Sequence, residues 1–448
     1  MRRLVQIGAV ILLASLPFAA HAAAAPADPP TKTPIKHFVV LMQENHSFDN
    51  YFGTYPGANG IPKGVCQPIN RLDASKGCVK PFHLGDRVVE DLNHSHKVAI
   101  RQYDHGKMDG FIDGVRRASG KVQPNVMGHY DDRDIPYYWN IADNYVLFDK
   151  FFTSSAGGSV GNHMFWLTGT VGNPAGDFVP PNGFNQTTIF DRLEQKHISW
   201  KFYVQNYDPG INLFNQAIGD RGSQVIWVPI LNYRRYLLDP KLKSHIVDMS
   251  QFYKDLAHGT LPSVAYMAPS GSSEHPPGSI QAGERFIRTI VNGLMRTQYW
   301  NNSAFMWSYD DWGGWYDHVK PPQVDKFGFG FRAPALLVSA FAKPGFVNHT
   351  TLDFTSELKF IEDNWGLKPL ASRDASSGSL MGAFDFKSPP RKPVFVQATR
   401  PKPPAKEPKR PVIYIAYFLA VAMASVLIFG AGLAERRTRR RRKAEAKR

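Results

Sequence analysis

Two scarcities bound what this 448-residue chain can do. Net charge is nearly absent from its first 386 residues: of a formal +15, residues 387–411 and 435–448 carry +7 each, which leaves +1. Nucleic-acid binding needs basic charge on the folded part and finds no support, so no nucleic-acid partner is expected. Cysteine is scarce too, with Cys66 and Cys78 the only pair. Two thiols with no nearby histidine supply too few ligands for a closed zinc site. In an exported chain an even pair in a Gly-, Pro- and Asn-rich stretch is expected to form one disulfide. Internal repeats are absent.

Long apolar runs are confined to the two ends. Arg2 and Arg3, the stretch Val5 to Phe18 and the triplet Ala20-His21-Ala22 read as a signal peptide over 1–22. Val412 to Ala434 is uncharged and long enough to cross the ~30 Å core of a bilayer as a helix. An arginine-rich tail follows, which the positive-inside rule assigns to the cytoplasm. The expected order is therefore signal peptide 1–22, globular domain 23–387, extended Pro/Lys-rich stalk 388–411, transmembrane helix 412–434 and basic cytoplasmic tail 435–448. That order implies a single-pass cell-membrane protein with its globular domain extracytoplasmic and the bilayer as a partner through Val412–Ala434.

Within the globular part, short apolar runs start at His37, Ser199, Ser263, Ser303 and Ala333. They lack the alternation of half-exposed strands and suit a sheet covered on both faces. Between them lie amphipathic patterns, the clearest from Gln281, where Phe286, Ile287, Ile290, Val291 and Leu294 share one helical face. A second runs from Thr355, with a capping threonine and a terminal Gly366. Alternating strands and helices predict an α/β sandwich with a mostly parallel sheet.

Polar residues gather where these strands end. The run from His37 finishes in Gln43, Glu44, Asn45 and His46; that from Ser303 finishes in Asp310 and Asp311. In open α/β sheets this edge binds ligands. Adjacent aspartates after a buried strand repel each other unless a divalent cation such as Mg²⁺, Ca²⁺ or Mn²⁺ neutralises them; the other reading is a solvated turn in which one aspartate caps a helix. Ser159 follows Gly157 and Gly158 and would open a helix, whose N-terminus suits a phosphate. It reads either as a nucleophile beside a metal or as a plain cap. His275 stands in a Ser/Gly/Pro loop directly after a strand. His105, His163, His318 and His349 read as structural. Trp307, Trp312, Trp315 and Tyr316 are expected either to line an apolar approach to the site or to pack as core.

Taken together, "IKHFVVLMQENHSFDNYFGTYPGANG", "GKMDGF" (106–111), "NHMFWLTGT" (162–170), "SEHPP" (273–277) and "SYDDWGGWYDHV" (308–319) resemble the bacterial phosphoesterase family that includes phospholipases C and respiratory-burst-inhibiting acid phosphatases. The resemblance runs in order over about residues 34 to 370. It implies an alkaline-phosphatase-superfamily-like α/β fold and metal-dependent hydrolysis of phosphate esters. The first expectation is phospholipase C action on phospholipids through a seryl phospho-enzyme. Broad-specificity acid phosphatase activity is the alternative, and a non-catalytic surface protein on the same scaffold a third. Position by position, the resemblance makes Glu44, Asn45, Asp310 and Asp311 the metal ligands and Ser159 the nucleophile. His94 and His275 would contact phosphate or protonate the leaving oxygen. Two departures stand out: Asp311 occupies a position where the family usually has Glu, and Gly161 one where it usually has Pro.

Overall fold

All five apolar runs are strands in the computed structural model, which describes residues 30–85, 89–171, 178–215, 223–400 and 410–445. The expected signal peptide lies outside the described residues. The strands of the main sheet, in chain order, are β1 (His37–Gln43), β2 (Val146–Phe148), β3 (Trp200–Val204), β4 (Ile246–Asp248), β5 (Val264–Ala268), β6 (Ser303–Tyr309), β7 (Ala335–Ser339) and β8 (Phe346–Asn348). They lie side by side in the order β8-β2-β7-β6-β1-β5-β3-β4. Only β7 runs against its neighbours. Strands β5, β6 and β7 are buried along their whole length, because helices cover both faces and leave no solvent side for polar residues to alternate toward.

The helices include α1 (Phe48–Phe52), α2 (Pro136–Asn144), α3 (Ser159–Thr168), α4 (Ile280–Met295) and α5 (Phe354–Trp365). Helix α4 buries the predicted face of Phe286, Ile287, Ile290, Val291 and Leu294. Helix α5 ends at Gly366 as expected, with φ 64°, but Asp353 rather than Thr355 takes the cap. The Asp353 N–H donates to Ser356 Oγ at 3.2 Å, and Thr355 donates to Asp353 Oδ1 at 2.6 Å.

Cys66 and Cys78 are joined, with Cα atoms 5.4 Å apart; closing so short a loop stabilises by about 3 kcal/mol. Trp307, Trp312, Trp315 and Tyr316 are core, since the three tryptophans are inaccessible and Tyr316 nearly so. None lines an approach to the site.

The chain forms two units, one ending at Ala398 and the other starting at Thr399. Residues around 391–394, expected in the stalk, are bonded within the first unit: Trp300 Nε1 donates to the Arg391 carbonyl at 2.6 Å and the Val394 N–H to Tyr145 at 3.2 Å. In the second unit Arg410–Glu445 form one helix of 36 residues. The transmembrane helix expected over Val412–Ala434 is not supported. Among the described residues no helix is long and apolar enough to cross a membrane. The side chains of this helix that are described mix an apolar stretch, interrupted by alanines and Ser425, with a last third dominated by arginine. Those at 410–414, 416, 417, 420, 428, 444 and 445 lie outside the description. The single-pass location and the bilayer contact through this segment fall with it.

Candidate active site

Register puts the acidic residues together. Strands β1 and β6 are parallel neighbours with Gln43 opposite Tyr309, so Glu44 and Asn45 leave the sheet beside Asp310 and Asp311. The connection is reinforced at the edge itself. The Asp310 N–H donates to the Gln43 carbonyl at 2.9 Å, and the Asn45 N–H donates to Asp310 Oδ1 at 3.0 Å. Asn45 adopts φ 63°, a left-handed conformation that asparagine tolerates better than most residues. Gly313 is needed opposite it: a Cβ there would stand 2.2 Å from the Asn45 carbonyl oxygen.

All four expected ligands are fully buried. Among the described residues, both carboxylate oxygens of Glu44, Asn45 Oδ1 and Asp310 Oδ2 lack a hydrogen bond of normal geometry, although Trp227 stands near enough to Glu44 to favour its charged form. Buried acceptors without donors are costly and rare, and four from one cluster imply a missing positive group. The Glu44 carboxyl is held well above the usual range, first by burial and then by the charges of Asp310 and Asp311. A divalent cation fits this donor set and would relieve both effects.

One member of the cluster reads as structural from sequence. His163 Nε2 lies 3.5 Å from Glu44 Oε1, and the ligand atoms of Glu44, His163 and Asp310 all fall within 4.8 Å of one another. The His163 Nδ1–H donates to the Ser159 carbonyl at 2.8 Å, which turns Nε2 toward Glu44, the orientation a ligating imidazole needs. The sequence does carry a signal for it. Ser159 and His163 are four residues apart at the head of one helix, so they share a face.

Ser159 opens helix α3 as expected. No side chain caps the helix, and its first turn presents backbone N–H groups of the kind that meet an anion. Ser159 Oγ is 3.5 Å from Asp311 Oδ2, while Asp311 Oδ1 accepts the Gly313 N–H at 2.7 Å. Aspartate at position 311 thus reaches the serine despite being a methylene shorter than glutamate.

His94 and His275 lie next to each other, with His94 against Asn45. Their rings stand 6.0 Å apart. His94 Nδ1 donates to the Leu92 carbonyl at 2.7 Å, and its Nε2 stands 3.3 Å from the Asn45 amide nitrogen. Burial opposes charging His94, but the carboxylates of Asp311 and Asp91 outweigh it and lift the imidazole to about 9. His275 borders a cavity of about 690 Å³ whose walls include Trp227, Asn206, Asp208 and Ser273. Beside it Glu274 is buried, and burial pushes its carboxyl to about 8 against the pull of three tyrosine hydroxyls. The structure therefore brings Glu44, Asn45, Asp310, Asp311 and Ser159 together, adds His163, and places His94 and His275 along one side.

The model of the Phosphoesterase family matches residues 35–368. Phospholipase C A of Mycobacterium tuberculosis is 29% identical over 422 residues, covering 80% of this chain and 78% of that protein. Non-hemolytic phospholipase C of Pseudomonas aeruginosa is 26% identical over 453 residues, covering 83% of this chain and 62% of its own length. Among solved structures, a Vibrio parahaemolyticus protein of the alkaline phosphatase superfamily aligns at 10% identity over 75% of this chain and 68% of that one, with TM-score 0.37. A likeness at that level adds nothing to the sheet topology.

Proposed function

The chain belongs to the Phosphoesterase family and is a phosphoric ester hydrolase; on that premise we propose that it is a metal-dependent phospholipase C. The substrate is a phospholipid, and the bond cut joins phosphorus to the glycerol oxygen. Supporting this reading is the convergence of buried, donorless oxygens from Glu44, Asn45 and Asp310 next to a serine at a helix start, in a chain whose relatives are phospholipases C.

Glu44, Asn45, Asp310, Asp311 and His163 would hold the divalent cation, which supplies charge neutralisation and lowers the pKa of a hydroxyl beside it. Ser159 attacks phosphorus, aided by Asp311, which takes up its proton. The first-turn amides of α3 receive the phosphoryl oxygens. His275, at the cavity wall, gives a proton to the departing glycerol oxygen, and His94 holds the phosphate in place. Diacylglycerol leaves with that proton. Water then attacks the phosphorus, passing one proton to His275 and releasing the phosphorylated headgroup, while Asp311 returns its proton to the Ser159 oxygen.

The test compares the full chain and its Ser159→Ala variant on a phosphatidylcholine analogue and on a simple phosphomonoester, with and without chelator. We expect the lipid to be the better substrate, chelation to abolish turnover, and acid quenching to trap a phosphorylated serine only when Ser159 is present. Faster turnover of the monoester would replace the lipase reading by that of a broad-specificity phosphatase. An active Ser159→Ala variant would remove the seryl intermediate.

A further inference from the structure

Glu274 is buried directly beneath the proposed site yet touches none of the reacting groups. Four donors close on its carboxylate. Oε1 accepts from Gln43 Nε2 at 3.1 Å and from the Tyr138 hydroxyl; Oε2 accepts from Tyr51 at 2.5 Å and from Tyr309 at 2.8 Å. Its own carbonyl accepts from His46 Nε2 at 3.2 Å. The carboxylate also fills the space beside α4, since a Cβ on Gly283 would stand 2.0 Å from Oε1. Glu284, the next residue of that helix, accepts the Tyr137 N–H at 2.7 Å and so fixes the start of the helix that carries Tyr138. For a residue with a side chain, Glu274 has an unusual backbone, φ 67°. Conformations of that kind persist only where surrounding contacts over-determine them.

The chain positions of these partners decide what the cage does. Gln43 is followed immediately by Glu44, and Tyr309 by Asp310. Glu274 itself is followed by His275. One carboxylate is therefore a single residue away from both acidic strand ends and from the histidine, and three separate segments are tied to it. The loop between β5 and α4 is already joined to the sheet edge by the Glu44 N–H, which donates to the Ser273 carbonyl at 2.9 Å; the cage adds side-chain bonds at the residue next to His275.

We infer that Glu274 is a positioning residue, which holds His275 in register with the acidic cluster so that its proton reaches the leaving oxygen. This rests on the role proposed for His275 above. A displacement of about 1 Å in a proton donor costs on the order of 100-fold in rate, and that is the scale expected for Glu274→Gln.

The experiment is a double-mutant cycle on the full chain with a phosphatidylcholine analogue, reading kcat, KM and bound metal for Glu274→Gln, His275→Ala and the pair. At pH 9, where a carboxyl pushed up to about 8 is ionised, we expect Glu274→Gln to lower kcat on the order of 100-fold with KM and metal content unchanged. In the His275→Ala background the same change should cost less than about twofold, because a group that acts only through His275 has nothing left to position. Tyr51→Phe and Tyr309→Phe, which each remove one hydroxyl and keep the carboxylate, carry the same comparison if Glu274→Gln does not fold. Additive losses, or loss of bound metal in Glu274→Gln, would overturn the inference while leaving the catalytic role of His275 intact. Full activity in His275→Ala would overturn both.

Discussion

Asp310→Asn separates charge from shape at the centre of the proposed cation site. The amide can keep the bond its Oδ1 now accepts from the Asn45 N–H at 3.0 Å. It cannot keep Oδ2, the oxygen without a donor: an NH₂ group there points hydrogens at the cation. Changing a residue that merely orients a ligand already weakens a metal 10–100-fold, so replacing a ligand should weaken it by more than about 100-fold, with a comparable fall in turnover. Stability of the metal-free protein should move the other way. The ligand atoms of Glu44 and Asp310 lie within 4.8 Å, where two like charges repel by roughly 3 kcal/mol in a medium of effective dielectric near 20. That figure is an upper bound, because burial and the neighbouring carboxylates hold the Glu44 carboxyl far enough up to shed its charge first. Metal titration by calorimetry, turnover of the lipid analogue and urea unfolding with chelator measure the three quantities. Full metal occupancy with near-normal turnover would show that the paired aspartates do not hold a cation, and the reasoning would fail.

Two further outcomes stem from the same geometry. Asp317→Asn should leave metal content unchanged but lower stability by about 3 kcal/mol: the fully buried Arg332 donates to Asp317 at 3.0 Å and would keep only Asp49 as a charged partner. Unchanged urea unfolding would contradict it. The Glu362 carboxyl is pushed up to about 9, by burial and then by its hydrogen bond and charge with Asp374. The stability it contributes when protonated is fully present below the ordinary value of 4.5 and is lost as pH rises toward 9. Glu362→Gln mimics the protonated form, so its urea midpoint should fall less than the wild type's across that window; equal slopes would refute the assignment.

The parts of the fold that can be read from sequence are those with an uninterrupted apolar signal. Strands β1, β3, β5, β6 and β7 stand out because burial on both faces leaves five to seven mostly apolar residues in a row. Strands β2, β4 and β8 are three residues each, too short for any period to show. The antiparallel direction of β7 is invisible, since a fully buried run looks the same read either way. At the site, Glu44 and Asp310 are legible because acids directly after a buried strand call for a counter-charge. His163 is one histidine among several and sits on an apolar helix, so only its spacing from Ser159 carries the clue. The Glu274 cage leaves no such trace: Tyr51, Tyr138 and Tyr309 come from three distant stretches, and nothing local marks a tyrosine whose hydroxyl points inward. The apolar run at 412–434 misleads in the opposite sense, because the length and hydropathy of a sequence window do not by themselves make a span.

The pairing of Gln43 with Tyr309 also says where the gene can change length. A residue inserted into β1 or β6 would turn every later side chain of that strand to the opposite face, and the acid that comes next would arrive on the wrong side of its partner. Exposed loops away from the sheet edge face no such penalty. Variation in length among descendants of this chain should therefore be confined to those loops, with the distances in residues from His37 to Asn45 and from Ser303 to Gly313 held constant, because the cation would be assembled by counting along two strands at once.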